Sequence, residues 1–275
     1  MSKKRKGWWA LLMVAVFLLA CVGLWWFETF TLTITRVEIT SSNIHNTIKI
    51  VQITDLHGAS FGRDNQSLLK KIAQEEPDVV VSTGDMYTNG DEAGKETAVH
   101  LLSELAKSYP VYVVNGEHDN DEAYMEALRQ NDVHVLQDQM ETITIGETTL
   151  QLYGIDNVYY SPTFSLAKEF DPPKTNLFSI LLAHIPNPAL FESFGVDLAI
   201  SGDTHGGQVR LPWIGPLYYE DSWFPKFTYD GEIWDKGLYQ LGEMEQFISS
   251  GLGNYPVPIR FGNRPEIAVL TLIPS

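Results

Sequence analysis

Cysteine is nearly absent: the 275 residues contain one, Cys21. No disulfide can close within the chain and no cysteine cluster can hold a metal. The lone thiol fits an oxidising or a reducing compartment and decides neither. Charge is absent from Gly7 to Phe27. Bases are scarce beyond that point. Lys and Arg number 19 against 35 Asp and Glu, for a net charge of −16, and Lys3, Lys4, Arg5 and Lys6 precede every acid. With those four set aside, 15 bases (19 less 4) face all 35 acids. Such a body repels nucleic-acid phosphates, so no nucleic-acid partner is expected. Much of the acid reads as solvated surface. Neither an internal repeat nor a low-complexity linker divides the chain.

What is present is ordinary in bulk. A hydrophobic share of 44% and 21 glycines fit a globular α/β protein, and the length suits one large domain or two small ones with ample core. The N-terminus is unusual. Gly7 to Phe27 is long enough to span a bilayer as a helix. Trp8 and Trp9 mark one end and Trp25 and Trp26 the other, as in interfacial aromatic belts. The basic cluster before the span places the N-terminus in the cytoplasm and everything after Phe30 outside. A cleaved signal peptide requires a shorter apolar core and a small-residue site. Leu18 to Cys21 is similar to a lipoprotein cleavage box, but Leu19 is bulky and Val22 to Phe27 is apolar where a polar tether belongs. The expectation is a cytoplasmic basic tail over residues 1–6, an uncleaved transmembrane anchor over 7–27 and one folded domain over 31–275. That describes a single-pass protein of the cell membrane with its domain outside the cytoplasm.

Beyond the anchor, Thr31 to Thr40 alternates apolar and polar and predicts a strand. Thr47 to Thr54, Val79 to Val81, Val111 to Val114, Phe178 to Ala183 and Val196 to Ile200 predict buried strands. Helices are predicted over Asn65 to Glu76, closed by Pro77, and, after a polar loop from Tyr87 to Gly94, through about Lys107. A further helix carries Tyr124 and Leu128, capped by Asp119 or Asp121. Val133 to Leu136 and a hairpin around Gly146 follow. The last third is mostly strand, near Gly237 to Glu243, Gln246 to Ser249 and Glu266 to Ile273. Strands alternating with helices in the first half indicate a layered α/β domain.

Five of the apolar runs end in residues suited to metal ligation. They are Asp55 with His57; Asp85; Glu117 with His118 and Asp119; His184; and Asp203 with His205 within Ser201-Gly202-Asp203-Thr204-His205-Gly206-Gly207-Gln208. In open α/β sheets, ligands bind at the carboxyl ends of strands. A single strand-end Asp is usually a turn or cap, and a lone His a structural hydrogen-bonder. Five such ends together are hard to reconcile with that. Asp203 and His205 are two apart, so in an extended segment both leave on one side. The remaining histidines, His45, His100 and His134, read as surface or packing residues.

The order DLH, GD, GEHD, a lone His and GDTHGGQ resembles the calcineurin-like metallophosphoesterase family, whose pattern is D-x-H, G-D, G-N-H-D/E, H and G-H-x-H. The ending SSGLGNYPVPIRFGNRPEIAVLTL is similar to its bacterial membrane-associated branch. The resemblance implies a four-layer αββα sandwich with a di-metal site at the strand ends. It implies one cation on Asp55, His57, Asp85 and His205, and a second on Asp85, Glu117, His184 and Asp203. Asp85 would bridge them. His118 would stabilise developing charge or protonate the leaving oxygen, and Asp119 would orient its imidazole or simply cap a helix. The implied reaction is hydrolysis of a phosphomonoester, phosphodiester or pyrophosphate by a hydroxide activated between two metals.

Two positions depart from the family pattern. Glu117 stands at its Asn and Asp203 at its first His of G-H-x-H. Carboxylates are harder ligands than imidazole, so manganese is expected, with zinc, iron or magnesium as the other choices. The same change admits a metal-binding sensor or scaffold of this fold with altered catalysis. A purely structural anchored domain is the third class. Finally, Pro212 to Trp234 is rich in aromatics: Trp213, Tyr218, Tyr219, Trp223, Phe224, Phe227, Tyr229 and Trp234. They read as a packed loop, or as a substrate wall or bilayer-facing rim. The rim would suit a phosphate ester carried on a lipid-linked or cell-envelope substrate.

Overall fold

The computed structural model describes residues 3–156, 164–217 and 227–275. The chain opens with helix α1 (Lys3–Phe30), then β1 (Thr33–Ser41) and β2 (Ile48–Ile53). Helix α2 (Gln66–Glu75) leads to β3 (Val79–Ser82), α3 (Glu92–Ala106) to β4 (Val111–Val113), and α4 (Glu122–Arg129) to β5 (His134–Val135). The hairpin β6 (Gln139–Ile145) and β7 (Thr148–Gly154) precedes α5 (Leu166–Glu169) and β8 (Phe178–Leu182). Helix α6 (Pro188–Phe194) precedes β9 (Leu198–Ser201). Two small ribbons follow, β10 (Arg210–Leu211) with β11 (Gly215–Pro216) and β12 (Thr228–Tyr229) with β13 (Glu232–Ile233). The chain closes with β14 (Gly237–Leu241), β15 (Met244–Ile248) and β16 (Glu266–Pro274).

The twelve longer-range strands make two six-stranded sheets, ordered β1-β16-β2-β3-β4-β5 and β14-β15-β9-β8-β7-β6. In the first, β2, β3, β4 and β5 run parallel. In the second, β7, β8, β9 and β15 run parallel. Parallel strands covered on both faces need continuous apolar runs, and β3, β4, β8 and β9 are buried at every position.

Three apolar cores define the layers. One holds Leu68, Ile72, Leu101, Leu102, Tyr124 and Leu128 of α2, α3 and α4 against Val51, Val80 and Val113. The middle core joins the two sheets, Ile50, Val79, Val81 and Leu270 meeting Leu152, Ile180, Leu198 and Phe247. The third packs Leu166 and Phe191 of α5 and α6 against Leu181 and Ala199. The result is the αββα sandwich expected. Caps set the helices locally: Asp91 accepts from Gly94 N (3.0 Å) at α3, and Asp121 accepts from Ala123 N (2.9 Å) at α4. Asp121, not Asp119, is therefore the cap of α4. Helices α5 and α6 are too short to show a 3.6-residue apolar period.

Helix α1 is one continuous rod whose Gly7–Phe30 portion is apolar enough to cross a membrane, and its most apolar stretch is not buried inside the protein. Its C-terminal end is bolted to the domain. Arg260 N donates to Thr29 Oγ1 (3.2 Å) and Gly262 N to Glu28 Oε2 (2.9 Å). Trp25 Nε1 donates to Pro258 O (2.9 Å), and the Arg264 guanidinium lies 4.4 Å from the Phe27 ring centre. Leu32, two residues past the helix, enters the first core.

Candidate metal centre

The carboxyl ends of β2, β3, β4, β8, β9 and β15 meet at one edge of the sandwich. Their loops are laced together by backbone hydrogen bonds. Asp55 N donates to Gly84 O (3.0 Å), His57 N to Asp85 O (3.0 Å), Gly202 N to His184 O (2.9 Å) and Leu252 N to Thr54 O (3.0 Å). Glycines permit this closeness: a Cβ on Gly202 would stand 2.5 Å from Asp55 Oδ2. Asp55, His57, Asp85, Asp203 and His205 all adopt φ between 46° and 70°. Left-handed backbone costs a residue with a Cβ about 1–3 kcal/mol, and it clusters where side chains must be aimed at a site.

Six of the predicted residues converge. Asp55, His57 and His205 place ligand atoms within 4.8 Å of one another, as do His57, Asp85 and His118, and Asp55, Asp85 and His184. Asp85 belongs to two of these groups, with Oδ2 3.3 Å from His184 Nε2 and 3.9 Å from His57 Nε2. The Nε2 atoms of His57 and His205 face each other at 3.1 Å. Two nitrogens each about 2.1 Å from one cation, at angles of 90–109°, would be about 3.0–3.4 Å apart. Asp203 adjoins this cluster: its Oδ1 is 3.8 Å from His184 Nε2, and its amide donates to Asp55 Oδ1 (3.1 Å). Glu117 sits at the rim. Its side chain is 46% exposed, with Oε1 3.9 Å from His118 Nε2. Chain geometry explains the difference, since Glu117 follows β4 by way of Asn115-Gly116 and projects toward the open side. His134, by contrast, stacks on Tyr112 at 4.6 Å, far along the sheet at β5.

The electrostatics fit a cation. Burial pushes the carboxyl of Asp55 up to about 6 and that of Asp203 to about 7, with other carboxylates adding to both. Burial lowers His57 to about 3 and carries His205 well below the ordinary imidazole range. Asp85 is held below the ordinary carboxylate range. Burial opposes that, and His184, His57 and the amide of His118 outweigh it. His184 goes the other way: burial opposes its charge, but Asp85, Asp55 and Asp203 raise it. His184 Nε2 and His205 Nδ1 are buried and make no hydrogen bond. Neutral His57 and His205 beside Asp55 and Asp203, which resist ionising, together with an Asp85–His184 pair that burial alone would not keep charged, make a donor set that a divalent cation satisfies.

Supporting groups fix the donors. His57 Nδ1 meets Thr88 Oγ1 (3.1 Å), and His184 Nδ1 meets Thr83 O (2.7 Å), leaving each Nε2 aimed at the cluster. Asp119, buried, has both oxygens engaged by backbone: Met86 N (2.8 Å) and Gly116 N (2.6 Å). It ties the Asp85 loop to the His118 loop. His118 N in turn donates to Asp85 Oδ1 (2.9 Å).

The sequence reading missed two residues at this edge. The Tyr255 ring stacks on His57 (centroids 5.0 Å, 16°) and lies 4.5 Å from the His118 ring. Arg260 is fully buried and holds Ser250 O (2.8 Å) and Gly253 O with its guanidinium. Burial lowers its pKa to about 10, against Asp55 and Glu266. No local signal marks them, because Ser249-Ser250-Gly251, the turn after β15, reaches this edge only through the pairing of β15 with β9. Of the aromatic run, Tyr218, Tyr219, Trp223 and Phe224 lie outside the described residues.

Comparisons with known proteins agree with this geometry. The family model for calcineurin-like phosphoesterases matches residues 48–207, from β2 through the Asp203–His205 stretch. The chain is 30% identical over 238 residues to YkuE of Bacillus subtilis, named an uncharacterized metallophosphoesterase, covering 82% of this chain and 78% of that one. It is 28% identical over 292 residues to an uncharacterized metallophosphoesterase of Helicobacter pylori, covering all of this chain and 74% of the relative. A Bos taurus protein named transmembrane protein with metallophosphoesterase domain is 28% identical over 254 residues, and the match spans about half (53%) of its length. The chain belongs to the calcineurin-like phosphoesterase family and is a metal-dependent phosphoric ester hydrolase.

Proposed function

We propose that the chain is a membrane-anchored phosphoesterase that cleaves a phosphomonoester, phosphodiester or pyrophosphate bond at a centre of two divalent cations. The observation that carries this is the convergence of Asp55, His57, Asp85, His184 and His205 from separate strand ends. In this reading Asp55, His57, Asp85 and His205 hold one cation. Asp85, His184 and Asp203 hold the other, with Glu117 as its outer carboxylate. Bound there, the cations supply Lewis-acid polarisation of phosphate and a water of lowered pKa.

The chain's own part is positioning and proton management. Asp85 serves both sites, because its Oδ2 stands between His184 Nε2 (3.3 Å) and His57 Nε2 (3.9 Å) while Oδ1 accepts from the His118 amide. His118, with 18% of its side chain exposed, faces the open side and donates the proton to the leaving oxygen. Asp119 acts through the backbone, fixing the loops that carry Asp85 and His118. Tyr255 screens the inner faces of His57 and His118 from bulk water. The carboxylate-rich second site favours manganese over zinc.

The anchor reading rests on the apolar Gly7–Phe30 helix, with the basic cluster before it directing the domain outside the cytoplasm. The transmembrane name of the Bos taurus relative supports it. A reporter fused after Ser275 should be active only as an exported enzyme, and activity as a cytoplasmic one overturns this orientation. For the chemistry, the full chain in detergent is stripped with chelator, reloaded with manganese, and assayed on an aryl phosphodiester. Turnover that returns with metal supports the reading. Metal uptake without turnover points instead to a sensor or scaffold.

A further inference from the structure

Outside α1, the large apolar side chains left exposed among the described residues are Met140, Trp213, Ile214, Leu217, Ile259 and Phe261. Five of these six gather on two segments, the β10–β11 ribbon with Leu217 just after it and the loop before β16. The segments are hydrogen-bonded to each other, Arg210 N to Phe261 O (2.8 Å) and Phe261 N to Gln208 O (3.2 Å). Trp213 is wholly exposed, at 102%. Scattered apolar residues need no explanation, but a contiguous patch on a polar domain does.

The patch is continuous with the membrane helix. Leu24 and Glu28 of α1 line one groove with Leu211, Trp213 and Phe261. Trp25 bonds to Pro258, beside Ile259. Leu24 lies within the apolar span, about 6 Å of helix rise before Glu28. The tip of the β10–β11 turn thus reaches the level of the last turn of the span. A tryptophan there suits the headgroup zone, where its ring is part apolar and part wet. Charge cannot be what seats this face, because the body is strongly acidic and anionic lipids would repel it.

The same two segments lead straight to the metal centre. Gln208 follows His205-Gly206-Gly207, and its side-chain amide donates to Tyr255 O. We infer that Trp213, Ile214, Leu217, Ile259 and Phe261 form a bilayer-seated rim that holds the metal centre at the leaflet surface. The phosphate ester it meets is then carried on a lipid of that leaflet. This rests on the reading of α1 as a transmembrane anchor.

The test uses the full chain in vesicles of phosphatidylcholine and phosphatidylglycerol. A nitroxide on the native Cys21 reports helix insertion. A second preparation, Cys21→Ser with Ile214→Cys, carries the label on the rim. Both labels should be more accessible to dissolved oxygen than to an aqueous nickel chelate, and salt should not change this. An inserted Cys21 with a fully aqueous position 214 overturns the rim alone. An aqueous Cys21 overturns the anchor reading and the rim with it. Label depths need no turnover, so they stand apart from the catalytic reading. On the activity side, phosphatidyl-p-nitrophenol in the vesicle is compared with bis-p-nitrophenyl phosphate in water. Trp213→Glu with Ile214→Glu should lower the ratio of the two rates at least tenfold, and an unchanged ratio overturns the proposal.

Discussion

Gly202→Ala probes the centre without touching a ligand. The new Cβ would stand 2.5 Å from Asp55 Oδ2 and closer still to Thr54 Oγ1. Neither can retreat easily. Thr54 Oγ1 donates to Gly84 O (3.2 Å), and Asp55 is fully buried. On its other side Asp55 meets Gly251, where a Cβ would lie 2.6 Å from the Asp55 Cβ. The carboxylate is held between two bare backbones. Overpacking of this kind costs about 1–3 kcal/mol. If the strain falls on the metal-loaded geometry, cation affinity drops by about 5- to 150-fold. The assay is calorimetric titration of chelator-stripped protein with manganese, beside thermal unfolding. Gly195→Ala is the control. It sits at φ 87° after α6 with nothing within 4 Å of a Cβ. It should cost about 1 kcal/mol of stability through backbone strain alone and leave metal affinity at wild type. Equal affinity in Gly202→Ala and wild type, or equal losses in both variants, would show that close packing at Gly202 does not set the metal geometry.

Asp85→Asn should lower occupancy of both cations, because one side chain serves both groups; metal analysis after gel filtration reads this. His118→Ala should keep its metal and lose on the order of 10²–10⁴ in turnover, and a wild-type rate on a substrate with a poor leaving group removes it as the acid. Metal affinity should rise between pH 5.5 and 7.5. Asp55 and Asp203, raised to about 6 and 7, carry protons at the lower pH that a cation must displace; a flat or falling affinity contradicts this. Glu117→Asn with Asp203→His replaces two hard oxygen ligands with an amide and an imidazole, so preference should move from manganese toward zinc. Competition titration checks it, and an unchanged preference counts against ligation by these two residues.

The fold was legible where strand and helix alternate with clear period. Residues 47–54, 79–81 and 111–114 read as buried runs and form β2, β3 and β4. Their ends carried the chemistry because turns at a sheet edge are where polar side chains can collect. Short elements were not legible. Helix α6 has seven residues, under two turns, and only Pro188 at its start and Gly195 after its end mark it. Long-range geometry was also hidden. Nothing local to Tyr255 says that its ring lands on His57, because β15 reaches that edge by pairing with β9 across the second sheet. Nor does spacing say which residue of Gly116-Glu117-His118-Asp119 turns inward. Backbone amides claim Asp119, the ring of His118 meets Tyr255, and Glu117 is left at the rim.

Two divalent cations at one cluster of side chains should perform the phosphate-ester hydrolysis. Metal stoichiometry of the full chain, measured by plasma mass spectrometry at saturating manganese and paired with hydrolysis of an aryl phosphodiester on the same sample, tests it most directly. Wild type should hold two cations per chain, lose activity on chelation and regain it with manganese, and Asp85→Asn should be depleted of both cations. One cation per chain in wild type, or full turnover after the metal is stripped, would contradict this.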